Sequence, residues 1–427
     1  MKTASGWMML ATGLAVATLA TTSVRGEEED KTEQPLDMAA EIQRAKEAMA
    51  KLPSEPGPHI EKIKAMGDDE WLDLGGPAPD PKWGCRRGAS YTSKMAFAPD
   101  LRGAFVTGEG PHARAHWPDI MTDLFFYDIN AHAWICAAPP FHFRTQKLTV
   151  DENGFEVDET GQPLPYTMGH GWQQFDYIRD TRQFIGVWPG VTHSMRIMRP
   201  LRKAWTEGKE LAAKGHPWFW DVASGRWERH ITTGDVPTLK EHNHVVQYVP
   251  AMKSTFYFQM HTNLRGIYRF DHGSNHWTQV GSRVNRDNKG CVALDTKRTR
   301  LYVAHGGKAY DFETGEWHDL AGAKIWKQFV GPTSANLTYD SANDVVVAYR
   351  YYTRPGWKDP DNYVRIYDAA ADAWLDEKRE GPPGNGGVNY AQYNAFYDPE
   401  LNVHFMYAAS DGSSEGKMWA YRYKRTE

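Results

Sequence analysis

The chain has 427 residues, 13% of them aromatic, with 17 Trp, 21 Tyr, 38 Gly and 25 Pro. That profile suits many short strands joined by tight turns. The formal net charge of -5 excludes nucleic acid as the main partner, because phosphate binding needs a basic surface.

The N-terminus follows the pattern of an export signal. Lys2 supplies a positive start, Trp7 to Ala20 is an apolar run, and Val24-Arg25-Gly26 offers a cleavage site before the acidic run Glu27 to Asp30. As an uncleaved anchor the run is short for a bilayer span. On either reading the body of the protein lies outside the cytoplasm, secreted or periplasmic. No later segment is long and apolar enough to cross, so no stable membrane span remains after cleavage. The expected division is a signal peptide over 1–26, a polar linker with a short helix over 27–69, and one large domain over 70–427. Within the linker, Asp37 is a candidate N-cap for a helix from Met38 to Lys51, ended by Pro53. The three cysteines are odd in number, so at least one thiol is unpaired. Cys85 and Cys136 flank one repeat, which leaves either a disulfide between them or three buried thiols.

From Trp71 onward the hydrophobic period becomes two, and a four-strand unit repeats. Its clearest instance runs through His244–Pro250, Thr255–Met260, Gly266–Asp271 and His276–Val280. Each third strand ends in an aromatic residue and Asp, as in Tyr127-Asp128, Trp220-Asp221, Phe270-Asp271, Tyr310-Asp311 and Tyr367-Asp368. Each fourth strand carries a Trp: Trp71, Trp134, Trp227, Trp277, Trp317 and Trp374. The strand around Trp71 has no partners before it, and the last third strand, Met418 to Tyr423, has no fourth strand after it. Joining the two closes a ring without full-length free edges. The fold expected is therefore all-β, a six-bladed β-propeller closed by an N-terminal strand. Two insertions in the second blade, His142–Met168 and Thr192–His216, are long, and the latter contains a predicted helix over Leu201–Lys214.

The aromatic-Asp, turn, Trp pattern over residues 70 to 425 resembles the kelch repeat family, with Gly306-Gly307 matching its diagnostic glycine pair and Gly108-Glu109-Gly110 echoing it. The resemblance implies a divergent exported kelch-type propeller within the galactose-oxidase-like superfamily. It does not imply a copper site, because the Tyr, His and Cys constellation of that superfamily does not map onto this chain. Exported relatives of this architecture include sugar-active members, among them lyases that use His and Tyr as base and acid and Arg on a uronate carboxylate.

Strand order puts the second-to-third connections and the links between blades on one face. These are long and rich in His, Arg, Asn and Tyr, whereas the opposite turns are short, so the loaded face is the expected site. The candidates for acid, base and carboxylate roles are His170, His244, His261, Tyr91 and Arg265, since imidazole titrates near neutrality. Ligand-binding candidates are Arg86, Lys94, His112, His193, His242, Arg286, Lys289, His305, Asn336, Arg350, Asn389 and Tyr390. Arg pairs with carboxylate or sulfate, and Asn and Tyr serve hydroxyls. His242 and His244 have a spacing a metal can use, but without a third ligand no metal is assigned, and one of the pair is expected to hold the backbone at the channel wall. The cofactor is open, and so is whether the protein is an enzyme.

The leading expectation is binding of a carbohydrate, in particular an anionic polysaccharide, with lyase or epimerase activity as an extension. A protein-interaction scaffold and a metal-dependent oxidoreductase are the alternatives. A P-loop, a Rossmann glycine fingerprint, a Gly-x-Ser-x-Gly elbow and a His-Glu-x-x-His run are all absent, which removes the commonest nucleotide, esterase and zinc-protease readings.

Overall fold

The computed structural model describes residues 36–426 apart from 89–91, 109–118, 121–122, 143–145, 164, 166–171, 189–201, 214, 240–243, 261–263, 283–290, 330–334, 352–361, 382–391 and 410–412. Six small sheets, each led by a first strand at the axis and with its four consecutive strands antiparallel, make the blades of a β-propeller. The first strands are Ala96–Ala98, Phe175–Ile178, Val245–Val249, Val292–Asp295, Ala335–Asp340 and Gln392–Asp398, and blades 1 to 6 are named in that order. The strand Glu70–Gly75 pairs antiparallel with Lys417–Arg422, Trp71 opposite Tyr421, and so completes blade 6. The ring is closed as the sequence pattern predicts.

One turn explains why the third and fourth strands keep their spacing. The Asp that ends each third strand in blades 1 to 5 accepts backbone N–H groups from the turn, for example Ser224 N at 2.7 Å on Asp221 and Ala371 N at 2.8 Å on Asp368. Four residues after that Asp the chain is left-handed, at His132, Gly225, Asn275, Gly315 and Asp372. Two residues later comes the Trp. The first-to-second turns repeat a second device, with left-handed Arg102, Arg182, Lys253, Thr299, Asp344 and Asn402 each four residues past the first strand.

Packing then follows the blades. Six apolar clusters form, one at each blade-to-blade interface. Every fourth-strand Trp lies in the cluster facing the preceding blade, as Trp134 does against Tyr407 at 4.9 Å between ring centroids. Fully burying one large apolar side chain contributes about 1.5–3 kcal/mol, so these interfaces dominate stability. The cysteines are all free thiols. They act as small apolar residues, Cys136 and Cys291 being buried.

The N-terminal helix α1 is Met38–Met49, capped by the Asp37 carboxylate on Ala40 N. Its buried face (Met38, Ala45, Met49) joins the cluster between blades 1 and 2. Glu41, 1% exposed, lies under it and accepts from Lys82, Arg44 and Trp83. A second helix, α2 at His59–Ala65, appears where only polar linker was expected. Its Ile60 and Ile63 pack between blades 6 and 1, and Arg422 and Arg425 donate to carbonyls at its C-terminal end.

The second-blade insertion departs from expectation. In place of a helix over 201–214, helix covers 202–205 among the described residues of that stretch. Gly208 at φ +69 turns the chain out, and Ala212 N then donates to Gly154 O at 2.9 Å. Gly154 belongs to a small hairpin, Thr149–Val150 with Glu156–Val157, which Arg202 clamps through Glu156.

Candidate functional site

The first strands touch one another around part of the axis. Met95 N donates to Ala395 O, Ser93 N to Trp172 O and Val246 N to Gln173 O, so blades 6, 1, 2 and 3 join through parallel backbone contacts. Beyond that level, toward the first-to-second turns, the strands bound a cavity of about 620 Å³. This lies within the range of pockets that hold small ligands. Its floor holds Lys94, Gln173, Asp176, Gln247 and Asn336, and its lip holds the turn residues Pro99, Arg179, Thr296 and Pro399. The exposure of those four lip residues places the mouth on the face with the short turns.

The walls come from one repeated position. The penultimate residue of each first strand is Phe97, Tyr177, Tyr248, Leu294, Tyr339 or Tyr397, and all six line the cavity. Five are aromatic. Three of the tyrosines anchor their hydroxyls to the first-to-second turns: Tyr177 donates to Asp100 at 3.1 Å, Tyr339 to Asp344 at 2.7 Å and Tyr397 to Asn402 at 3.0 Å. With the hydroxyls held there, the rings are fixed in place around the cavity.

The floor is a closed polar network. Lys94 donates to Asp176 at 3.0 Å, to Val246 O at 3.1 Å and to Gln247 Oε1 at 3.3 Å. Gln247 Nε2 donates to Asp176 at 2.7 Å and to Tyr248 O, and Tyr248 N also donates to Asp176. Asn336 gives its amide to Ser93 O and Tyr393 O. These bonds tie blades 1, 2 and 3 together, and blade 5 to blades 1 and 6. Burial pulls the Lys94 ammonium below its ordinary range, and the Asp176 carboxylate opposes that shift. Every side-chain N–H of Lys94, Gln247 and Asn336 is spent. Gln173 gives one amide N–H to Ser93 Oγ at 3.3 Å, so beside its carbonyl and carboxylate lone pairs the floor keeps a single amide N–H.

Below the wall, Thr338 Oγ bonds His404 Nδ1 at 2.8 Å, and the other imidazole nitrogen lies 3.7 Å from Asp340. Asp340 and His404 are both buried, so this chain stiffens the blade 5 to blade 6 interface.

Of the sequence candidates, Lys94 and Asn336 fall in the cavity. The others with described positions lie elsewhere. His244 is buried, with Nδ1 accepting Met260 N at 3.3 Å and its ring against Tyr257. Arg86 is buried, donating to Gly108 O at 3.0 Å and lying 3.6 Å from Asp123. Arg350 donates to Gln328 O at 2.8 Å, His305 is half-buried and Arg265 is exposed. His170, His261, Tyr91, His112, His193, His242, Arg286, Lys289, Asn389 and Tyr390 lie outside the described residues. Among the described residues no group of three or more His, Cys, Asp or Glu converges as a metal site. Sequence reasoning passed over Asp176, Gln173, Gln247, Arg179 and the aromatic walls. The signal was present as an aromatic residue recurring just before the first-to-second turn in five of the six blades.

No protein-family model matches this chain. No curated protein matches it either. Among solved structures, TolB from Acinetobacter baumannii is similar at a TM-score of 0.38 and 12% identity, over 77% of this chain. The aligned region spans 66% of that protein's chain, just under two thirds of its length.

Proposed function

We propose that this protein is an exported, kelch-type binding propeller whose axial cavity takes a saccharide. The observation that carries the reading is the pairing of aromatic walls with an acceptor-rich floor. Sugar rings present C–H faces that pack on aromatic side chains, and hydroxyls that donate to lone pairs. The N-terminal signal pattern supports export, and the Asp-to-Trp turn supports kelch kinship.

The reading is one of binding rather than turnover. Among the described residues no histidine lines the cavity, and the one carboxylate there, Asp176, is held by Lys94, Gln247 and Tyr248 N. The architecture also suits an interaction scaffold. Among the described residues, however, Ile231 is the one large apolar side chain that stands exposed, so the described surface offers no apolar docking patch.

Calorimetric titration of the folded domain with a panel of mono- and disaccharides tests the proposal. At about 100 times its Kd a true ligand stabilises the fold by about 2.7 kcal/mol, read as a raised melting temperature. Thr296→Trp, which puts a large ring at the exposed lip of the cavity, should abolish both signals while leaving the circular dichroism spectrum intact. Binding that survives this variant would remove the site from the cavity.

A further inference from the structure

Resting on the saccharide reading, we infer that Arg179 selects sugar acids over neutral sugars and orients them with the acidic group at the mouth and hydroxyls at the floor. Among the described residues, three charged side chains line the cavity: Lys94, Asp176 and Arg179. The first two cancel. Their 3.0 Å ion pair is largely buried, with side chains 13% and 9% exposed, and Lys94 has no N–H left for a ligand.

Arg179 differs. It is the first residue after the strand Phe175–Ile178, its side chain is 53% exposed, and it stands at the lip. Among the described residues its one ion pair is with its chain neighbour Asp180, through Nε at 3.4 Å. Such an exposed contact is worth little, and Asp180 also lies beside the Tyr248 hydroxyl. The two terminal nitrogens of Arg179 have no hydrogen-bond partner among the described residues. They are the free cationic donors of the lining, in the planar geometry that carboxylate and sulfate match.

The floor enforces the orientation. Because the ammonium and all but one of the amide N–H groups there are spent, a carboxylate, which only accepts, finds one neutral donor, on Gln173, and no free cation. A hydroxyl does find an acceptor. A ligand with hydroxyls at one end and an anion at the other therefore enters in one direction.

The test is calorimetric titration with glucuronate, galacturonate, glucose 6-sulfate, glucose and galactose, on the wild type, Arg179→Gln, Arg179→Lys and Thr296→Trp, at low and high salt. The expected result is at least ten-fold tighter binding of an acidic sugar than of its neutral counterpart, a preference that shrinks with salt. In Arg179→Gln the acid-to-neutral affinity ratio should fall to about one, and Arg179→Lys should keep part of it. Carboxylate against sulfate binding identifies which anion the guanidinium reads. Equal affinities in the wild type, or a ratio unchanged in Arg179→Gln, would overturn the inference and leave saccharide binding standing. No binding of any sugar, acidic or neutral, would overturn both.

Discussion

At the scale of single residues the floor of the cavity stabilises as much as it recognises. Lys94 and Asp176 are a largely buried pair, and breaking such a pair by removing one partner leaves an uncompensated charge. Lys94→Met should destabilise the fold by about 3 kcal/mol, measured by urea unfolding. Adding Asp176→Asn should recover part of that loss, because the neutral amide no longer needs a cation. A double variant as unstable as the sum of the singles would show that the two side chains act independently. Lys94 and Asn336 were legible in the sequence as polar residues at the start of first strands. Asp176 and Gln247 were not, because alternation marks a position as facing inward without saying which neighbouring blade it meets.

At the scale of elements, α1 behaves as a clamp over the outer edges of blades 1 and 2. Burial pushes the Glu41 carboxyl up, but hydrogen bonds from Lys82, Trp83 and Arg44 outweigh it and hold it below its ordinary 4.5. A carboxylate depressed in the folded state contributes stability fully above its unfolded value, and that contribution is lost as pH falls through the folded one. Glu41→Gln should therefore cost about 2–3 kcal/mol at neutral pH and flatten the fall in stability below about pH 4.5. Denaturant midpoints across pH check it, and parallel curves for the two proteins would refute it. The start of α1 was readable from Asp37 and the apolar spacing. Its docking partner was not, since Gly225, which takes the helix backbone close by, lies far along the chain. A Cβ at Gly225 would stand 2.8 Å from Ile42 O. Likewise α2 was missed because its seven residues carry too little periodicity, and the helix predicted over 201–214 failed because Gly208 was not weighed as a stop.

At the scale of the whole molecule, closure depends on one strand. Glu70–Gly75 is far in sequence from its partner Lys417–Arg422, and Trp71 stacks on Tyr421 at 4.7 Å. Deleting residues 70–75 should expose the last third strand and the cluster between blades 5 and 6. The expected result is loss of a single cooperative calorimetric transition together with aggregation on gel filtration, both reversed in part by a peptide of that strand. A truncated chain with an unchanged transition would show that the ring does not need its latch.

Blade number, strand order and the closing strand followed from local chemistry. An Asp that caps its own turn, a left-handed residue four positions on and a Trp two beyond that are short-range rules, and they repeat often enough to be counted. The ligand cavity is a different kind of property. It arises where six first strands meet, from side chains contributed by blades up to hundreds of residues apart, and no local pattern says which end of the channel stays open. Loop composition drew attention to the face with long connections. The described cavity lies at the other end, where the short first-to-second turns form its lip.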